Sequence, residues 1–386
     1  MSFLRILTVL LFLVSSLAPV CLAQLGKNVT IPAGSEADRQ LAAINAADPS
    51  QKLPLIDEFA KAHADDDFQI IADEQYVNYY LNAKQYDKVF EYGDKLFAAD
   101  PNNYTNAINM VRAANEKGDI DKLYQYGEKA NSIVQNYKNA AASAGADAEE
   151  WNRNKADRIA SLKDDQDYVR QSLLGGAYRA TDPAKRADYF QRFARMYPDT
   201  PEGEQALTLA ASSYQQAQNR PKMQEIANAA LQKDPNNIGM LLLLADDYAE
   251  KGDQLDKADA YAKRAASLAD TAKKPDNMTD DQWKQESSIQ KGLALSTLGQ
   301  INLQKKQNAV AADNLNKAAP LLKSNAALYA RNEYRLGFAY LNLKRNADAT
   351  KAFTEAASVD SPYKSPAQQK LAEIGAAKPS AHKKAS

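Results

Sequence analysis

Three observations predict an all-α chain built from repeated helix–turn–helix units. The tetrapeptide Asp100-Pro101-Asn102-Asn103 recurs as Asp234-Pro235-Asn236-Asn237. A second signature occurs at Leu174-Gly175-x-x-Tyr178, Leu298-Gly299-x-x-Asn302 and Leu336-Gly337-x-x-Tyr340. Around both, small and large apolar residues return at spacings that fall on one face of a 3.6-period helix. Composition agrees with a folded, soluble protein. Of 386 residues, 45% are hydrophobic and 25% charged, and 48 basic side chains meet 49 acidic ones. Balanced charge argues against nucleic acid as an obligate partner. One Cys rules out a disulfide framework, a zinc ribbon and an iron–sulfur site, and two His leave little for a metal centre or a catalytic relay.

The elements follow in chain order. Residues 1–23 read as an export signal: Arg5 gives the positive start, Leu7 to Leu17 the apolar core, and Cys21-Leu22-Ala23 the cleavage site before Gln24. The apolar run is too short for a comfortable membrane span. A retained membrane tether and lipidation of Cys21 are the alternatives, and Val20 before the Cys disfavours the second. The expected location is therefore the periplasm or the extracellular space, with no transmembrane helix in the mature chain. N-x-T sequons stand at Asn28, Asn103 and Asn277. Residues 24–34, with Pro32 and Gly34, form a flexible lead-in. Residues 35–69 form a degenerate helical hairpin, because Asp48-Pro49, Lys52 and Phe59-Ala60-Lys61 mirror Asp182-Pro183, Arg186 and Phe193-Ala194-Arg195. Residues 70–375 form the repeat array. Residues 376–386 read as a disordered basic tail.

Seven units are legible in the array. The one from Ala330 carries Leu336, Gly337 and Tyr340, then Ala349, Phe353 and Ala356. Unit 204–237 has Ala210, Ala211 and Tyr214, then Met223, Ala227 and Ala230; the unit from Ile238 has Leu244, Ala245 and Tyr248, then Ala258, Ala262 and Ala265, one residue late. Units 70–103 and 104–134 carry Tyr76, Tyr80, Val89 and Leu96, then Met110, Ala114, Leu123 and Ala130. One from about 168 has Leu174, Gly175, Tyr178, Ala187 and Ala194, and one from about 292 has Leu298, Gly299, Ala311 and Ala318. This pattern resembles the tetratricopeptide repeat (TPR) family, whose helix–turn–helix unit of about 34 residues follows W-x-x-L-G-x-x-Y and then A, F, A and P. The resemblance implies a right-handed superhelical solenoid whose first helices line a concave groove.

Two interruptions, around 135–167 and 270–291, predict overlong helix pairs. Each ends on a helix start of one kind, Asp147-x-x-Glu150-Trp151 and Thr279-x-x-Gln282-Trp283, with Gly145 and Pro275 in the loops. The two Trp residues are expected to pack between the extended helix ends. Alternatively they form an aromatic ledge for a partner.

No catalytic constellation stands out. There is no G-x-x-x-x-G-K-[ST], G-x-G-x-x-G, H-E-x-x-H or G-x-S-x-G. His63 near Asp65-Asp66-Asp67 lacks the partners an acid–base or metal role needs. No cofactor is expected. Some relatives of the repeat clamp a C-terminal carboxylate with Lys and Asn at fixed slots. Here Asn78 and Asn109 fill Asn slots, but Glu74 stands at the Lys slot, and Val169 and Leu173 occupy the third unit's. The expected groove residues are Asn78, Asn109 and Arg112, then Gln205, Ser212, Gln216 and Asp246. Beyond them come Gln300 and Gln304, and an Arg/Tyr patch of Arg331, Tyr334, Arg335 and Asn342. Such a lining suits a protein or peptide partner. The expected function is a non-enzymatic interaction scaffold exported to the cell envelope. Envelope assembly is an alternative role. An alternative of another class is an enzyme, or a small-molecule or glycan binder, with its site near Trp151 and Trp283.

Overall fold

The computed structural model describes residues 25–142, 145, 147–274 and 278–376. The expected signal segment with Cys21, Pro275 with the sequon at Asn277, and the tail from residue 377 lie outside them. The described residues form eighteen α-helices and no strand. They divide into two compact units, the first ending at residue 181 and the second beginning at residue 182.

The first unit holds α1 (Glu36–Ala46), α2 (Pro49–Ala62), α3 (Gln69–Asn82), α4 (Tyr86–Ala99), α5 (Tyr104–Lys117), α6 (Ile120–Asn139), α7 (Ala148–Ser161) and α8 (Lys163–Arg179). Residues 25–27 of the lead-in are bonded to the α4–α5 turn: Lys27 N–H donates to Asp100 Oδ2 at 2.8 Å, and Tyr104 N–H donates to the Leu25 carbonyl at 3.3 Å. Helices α3/α4 and α5/α6 are antiparallel pairs, and α8 packs on α5 and α6.

The second unit holds α9 (Pro183–Met196), α10 (Pro201–Gln216), α11 (Arg220–Lys233), α12 (Ile238–Lys251), α13 (Leu255–Thr271), α14 (Asp280–Gln304), α15 (Asn308–Leu322), α16 (Ala326–Asn342), α17 (Asn346–Ser358) and α18 (Lys364–Ala376). Each helix packs on the next, and α14 also packs on α12 and on α16. Polar cross-links set the register. Arg220 at the start of α11 donates through Nε to both oxygens of Asp247 on α12, and through Nη2 to both of Asp253 in the following turn.

Small residues are where the spacing asks for them. A Cβ on Gly337 would lie 2.6 Å from the Phe353 ring, and one on Gly299 would overlap Leu315. These absent side chains let the two helices of a hairpin close on a large residue from the partner helix. The unit expected from about 168 departs from its sequence reading. Leu174 and Gly175 are half-buried and Tyr178 is 52% exposed, whereas Leu173, Gly176 and Ala177 are buried. Leu173 fills the notch at Gly127 of α6, and Leu123 of α6 fills the notch at Gly176. Its two helices also fall in different units, α8 closing the first and α9, packed on α10, opening the second.

The two interruptions differ. The segment after Thr279 is one continuous helix of 25 residues, opened by a reciprocal capping box between Thr279 and Gln282. The segment after Asp147 is also capped by its own side chain, but breaks at Leu162 into α7 and α8. Ser161 Oγ donates to the Arg158 carbonyl at 2.7 Å, a side-chain bond that competes with helix continuation, and the Leu162 side chain is buried at the corner. Trp151 closes the end of α6: its Nε1–H donates to the Ala140 carbonyl at 3.2 Å, as does Lys155 Nζ at 2.8 Å, and its ring meets Tyr137 edge-on.

Candidate functional site

Six hairpins share one turn. In each, a residue with left-handed backbone ends the first helix: Lys84, Gly118, Gln218, Gly252, Lys306 and Lys344. The next N–H then donates to the carbonyl five residues back. The pairs are Gln85 to Tyr80, Asp119 to Ala114, Asn219 to Tyr214, Asp253 to Tyr248, Gln307 to Asn302 and Arg345 to Tyr340, at 2.8–3.1 Å. This is the long bond of a Schellman closure, which satisfies a helix-end carbonyl. The accepting residues 80 and 114 are 34 apart, and so are 214 and 248. From 248 to 302 the interval is 54, which is 34 plus a 20-residue insertion. With first helices notched at Gly299 and Gly337, that interval matches the tetratricopeptide unit. The hairpins are of tetratricopeptide type.

In the second unit the TPR first helices α12, α14 and α16 carry seven of the thirteen expected groove residues, and the adjoining α10 carries Gln205, Ser212 and Gln216. Five of them line a pocket of about 300 Å³: Gln300, Gln304, Tyr334, Arg335 and Asn342. Glu250, Leu303, Phe338 and Tyr363 complete it. The geometry follows from helical spacing. Tyr334, Phe338 and Asn342 stand at i, i+4 and i+8 on α16, and Gln300 and Gln304 at i and i+4 on α14. Tyr363, from the α17–α18 connection, tilts against Tyr334 with ring centroids 5.5 Å apart, while Tyr334 meets Phe338 edge-on at 5.0 Å.

Beneath the pocket lies a buried ion network. Arg331 Nη1 donates to Asp246 Oδ2 at 2.7 Å, and Arg335 Nη2 donates to Asp246 Oδ1 at 3.1 Å and to Glu250 Oε1. Arg335 Nη1 donates to Ser296 Oγ at 3.2 Å, and Thr297 Oγ1 to Asp246 Oδ1 at 3.2 Å. Burial pushes the Asp246 carboxyl up, but the guanidinium groups of Arg331 and Arg335 outweigh it and hold the group below the usual carboxylate range. Two carboxylates, buried Asp246 and exposed Glu250, thus balance the two guanidinium groups. The sequence places Arg335 in an exposed patch, yet it is 4% exposed and committed to three partners. It shapes the floor of the pocket, whereas Tyr334 and Asn342 line its mouth. Nearby, burial pushes the Glu333 carboxyl up to about 7, helped by repulsion from Glu355.

The remaining expected residues are spread out. Asn109, buried on α5, donates to Asn78 Oδ1 at 3.2 Å. Asn78 lines a separate cavity of about 350 Å³ with Lys52, Gln75, Tyr79 and Asn82. Arg112 pairs with Asp165 at 3.4 Å. Gln216 accepts from Arg186 Nη2 at 2.5 Å, Gln205 is exposed and Ser212 half-buried. Glu250 and Tyr363 were not singled out by the sequence. Tyr363 lies outside every repeat unit, and Glu250 gains meaning only through Arg335, 85 residues away. His63 Nδ1 lies 2.8 Å from Asp66 Oδ2, between the rings of Phe59 and Phe68. Of the sequons, Asn28 is exposed. Asn103 is buried, with its side chain bonded to Asn106 N–H and to Glu74.

No protein-family model matches the chain, and no curated protein sequence does. Similar solved structures include NprR in complex with its cognate peptide NprX, at 18% identity over 88% of this chain and 80% of that one, with a TM-score of 0.37. The apo form of the quorum sensor NprR from B. thuringiensis is similar at 15% identity over 88% and 78%, with a TM-score of 0.29. The TPR domain of P58(IPK) is similar at 11% identity over 89% and 99%, with a TM-score of 0.29. The tetratricopeptide assignment rests on the turn register and the notched helices, not on these similarities.

Proposed function

We propose that the chain is a non-enzymatic scaffold that binds a protein or peptide partner in the pocket of its second unit. One observation carries this reading: the first helices α14 and α16, with Tyr363, present amide and aromatic side chains around a cavity of about 300 Å³ that Glu250 of α12 completes, held in shape by the ion network of Asp246, Arg331, Arg335 and Glu250. Side-chain amides offer both donors and acceptors, matching a peptide main chain, and rings offer apolar area at low entropic cost. A photo-crosslinking residue at Asn342, introduced in the native host, tests it. A discrete crosslinked polypeptide is expected. Absence of any polypeptide adduct at Asn342, while the protein is present at its normal level, would count against a protein partner.

The reading places the scaffold in the cell envelope. Its support is the sequence pattern of residues 1–23. No described helix is long and apolar enough to cross a membrane. Mass spectrometry of the native protein should give Gln24 as its first residue. A chain that retains Met1, or carries lipid on Cys21, would replace free export by a tether.

A further inference from the structure

The charges of the pocket in the second unit balance in number but not in access. Among its lining residues Glu250 is the acid and Arg335 the base. Arg335 is buried, with Nη1 donating to Ser296 and Nη2 to Asp246 and Glu250. The Glu250 side chain is 46% exposed. Its Oε1 accepts from Arg335, and its Oε2 has no partner among the described residues. A group entering the cavity therefore meets a carboxylate, while the guanidinium lies beneath and is already engaged. An anion would be repelled by Glu250 on the way in, and a cation would be attracted.

The rest of the lining favours one kind of cation. Tyr334, Phe338 and Tyr363 are half-buried and turn three rings to the cavity. A ring face carries negative charge density and attracts a cation. One of these rings already has such a neighbour within the chain: Lys370 Nζ of α18 lies 5.8 Å from the Phe338 centroid and pairs with Glu373 at 2.7 Å. Lys370 does not line the cavity. Acceptors complete the set. Asn342 donates to Asn308 Oδ1 at 3.1 Å, which leaves its own amide oxygen without a partner among the described residues. The amides of Gln300 and Gln304 stand at the same wall. An ammonium is a compact point charge with three donors. A guanidinium is planar, stacks on rings and spreads five donors in one plane, which matches a carboxylate oxygen, amide oxygens and rings together.

We propose, building on the peptide-binding reading above, that the pocket selects an arginine side chain of its polypeptide partner, with Glu250 Oε2 as the charge partner and the rings as its platform. The test selects a phage-displayed library of random dodecapeptides on the full chain. The most enriched peptide is then synthesised with a fluorescein label and titrated by anisotropy. The selected peptides should share an arginine. Replacing it by lysine should weaken binding about threefold or more, and by glutamine about tenfold or more. Glu250→Gln, which keeps an acceptor for Arg335, should lower affinity for the arginine peptide about tenfold and leave that for the glutamine peptide within about twofold. Tyr363→Leu should lower the first about fivefold, and it serves alone if circular dichroism shows that Glu250→Gln does not fold. An arginine preference that survives Glu250→Gln in the folded variant overturns the proposal. Selected peptides that lose binding in Gln300→Ala/Asn342→Ala but need no arginine overturn it while keeping the peptide-binding reading. Selected peptides that bind this double variant as well as the parent overturn both.

Discussion

Arg335 shows how a residue's role changes when its surroundings are known. On the sequence it belongs to a polar stripe facing a groove. In the structure Asp246, Glu250 and Ser296 share its donors. Removing it leaves Asp246 buried beside a single guanidinium, so Arg335→Ala should cost about 3–5 kcal/mol, read from denaturant unfolding. A loss under about 1 kcal/mol would mean that the network is not what shapes the floor. Glu333 makes the opposite kind of statement. Its folded pKa, about 7, lies above its ordinary value of 4.5, so between these values the folded state holds the proton more tightly than the unfolded state. Stability should then fall as pH rises from about 4.5 to about 7, by at most about 3 kcal/mol. Glu333→Gln should flatten that slope, and an unchanged slope would assign it to other groups.

Among the elements, the hairpins were legible because their signal is local. Gly337, Phe353, Ala349 and Ala356 are buried where the helical spacing puts them. Gly337→Val should destabilise the protein by about 1–3 kcal/mol through overpacking against Phe353, measured as a lowered denaturation midpoint. A midpoint like that of the parent would remove this notch from the packing account. Other features were not legible, for identifiable reasons. In Leu173-Leu174-Gly175-Gly176 each signature residue has a like neighbour, and only the facing Gly127 and Leu123 select Leu173 and Gly176 for burial. Four of the six turns use Lys or Gln in the left-handed conformation, where sequence rules look for glycine; the closing hydrogen bond offsets the strain. The break at Leu162 depends on a burial site that no helical periodicity reveals. The helix after Thr279 has no such corner and runs on.

At the scale of the whole molecule, a repeat array makes stability nearly local and leaves function to surface chemistry. The all-helical repeat class was therefore readable over most of the described residues. The candidate site was readable in part, because Gln300, Gln304, Tyr334 and Asn342 sit on first-helix faces. Glu250 and Tyr363 reach the same cavity through stacking between units distant in sequence, and no single helix carries that information. The central claim is that this pocket holds a polypeptide. It is tested most directly by capturing partners from an extract of the native host with the tagged chain and comparing affinities for the enriched protein. The account predicts a partner whose binding falls about tenfold or more in Gln300→Ala/Asn342→Ala, with the melting temperature unchanged. Equal affinity for parent and variant would contradict it.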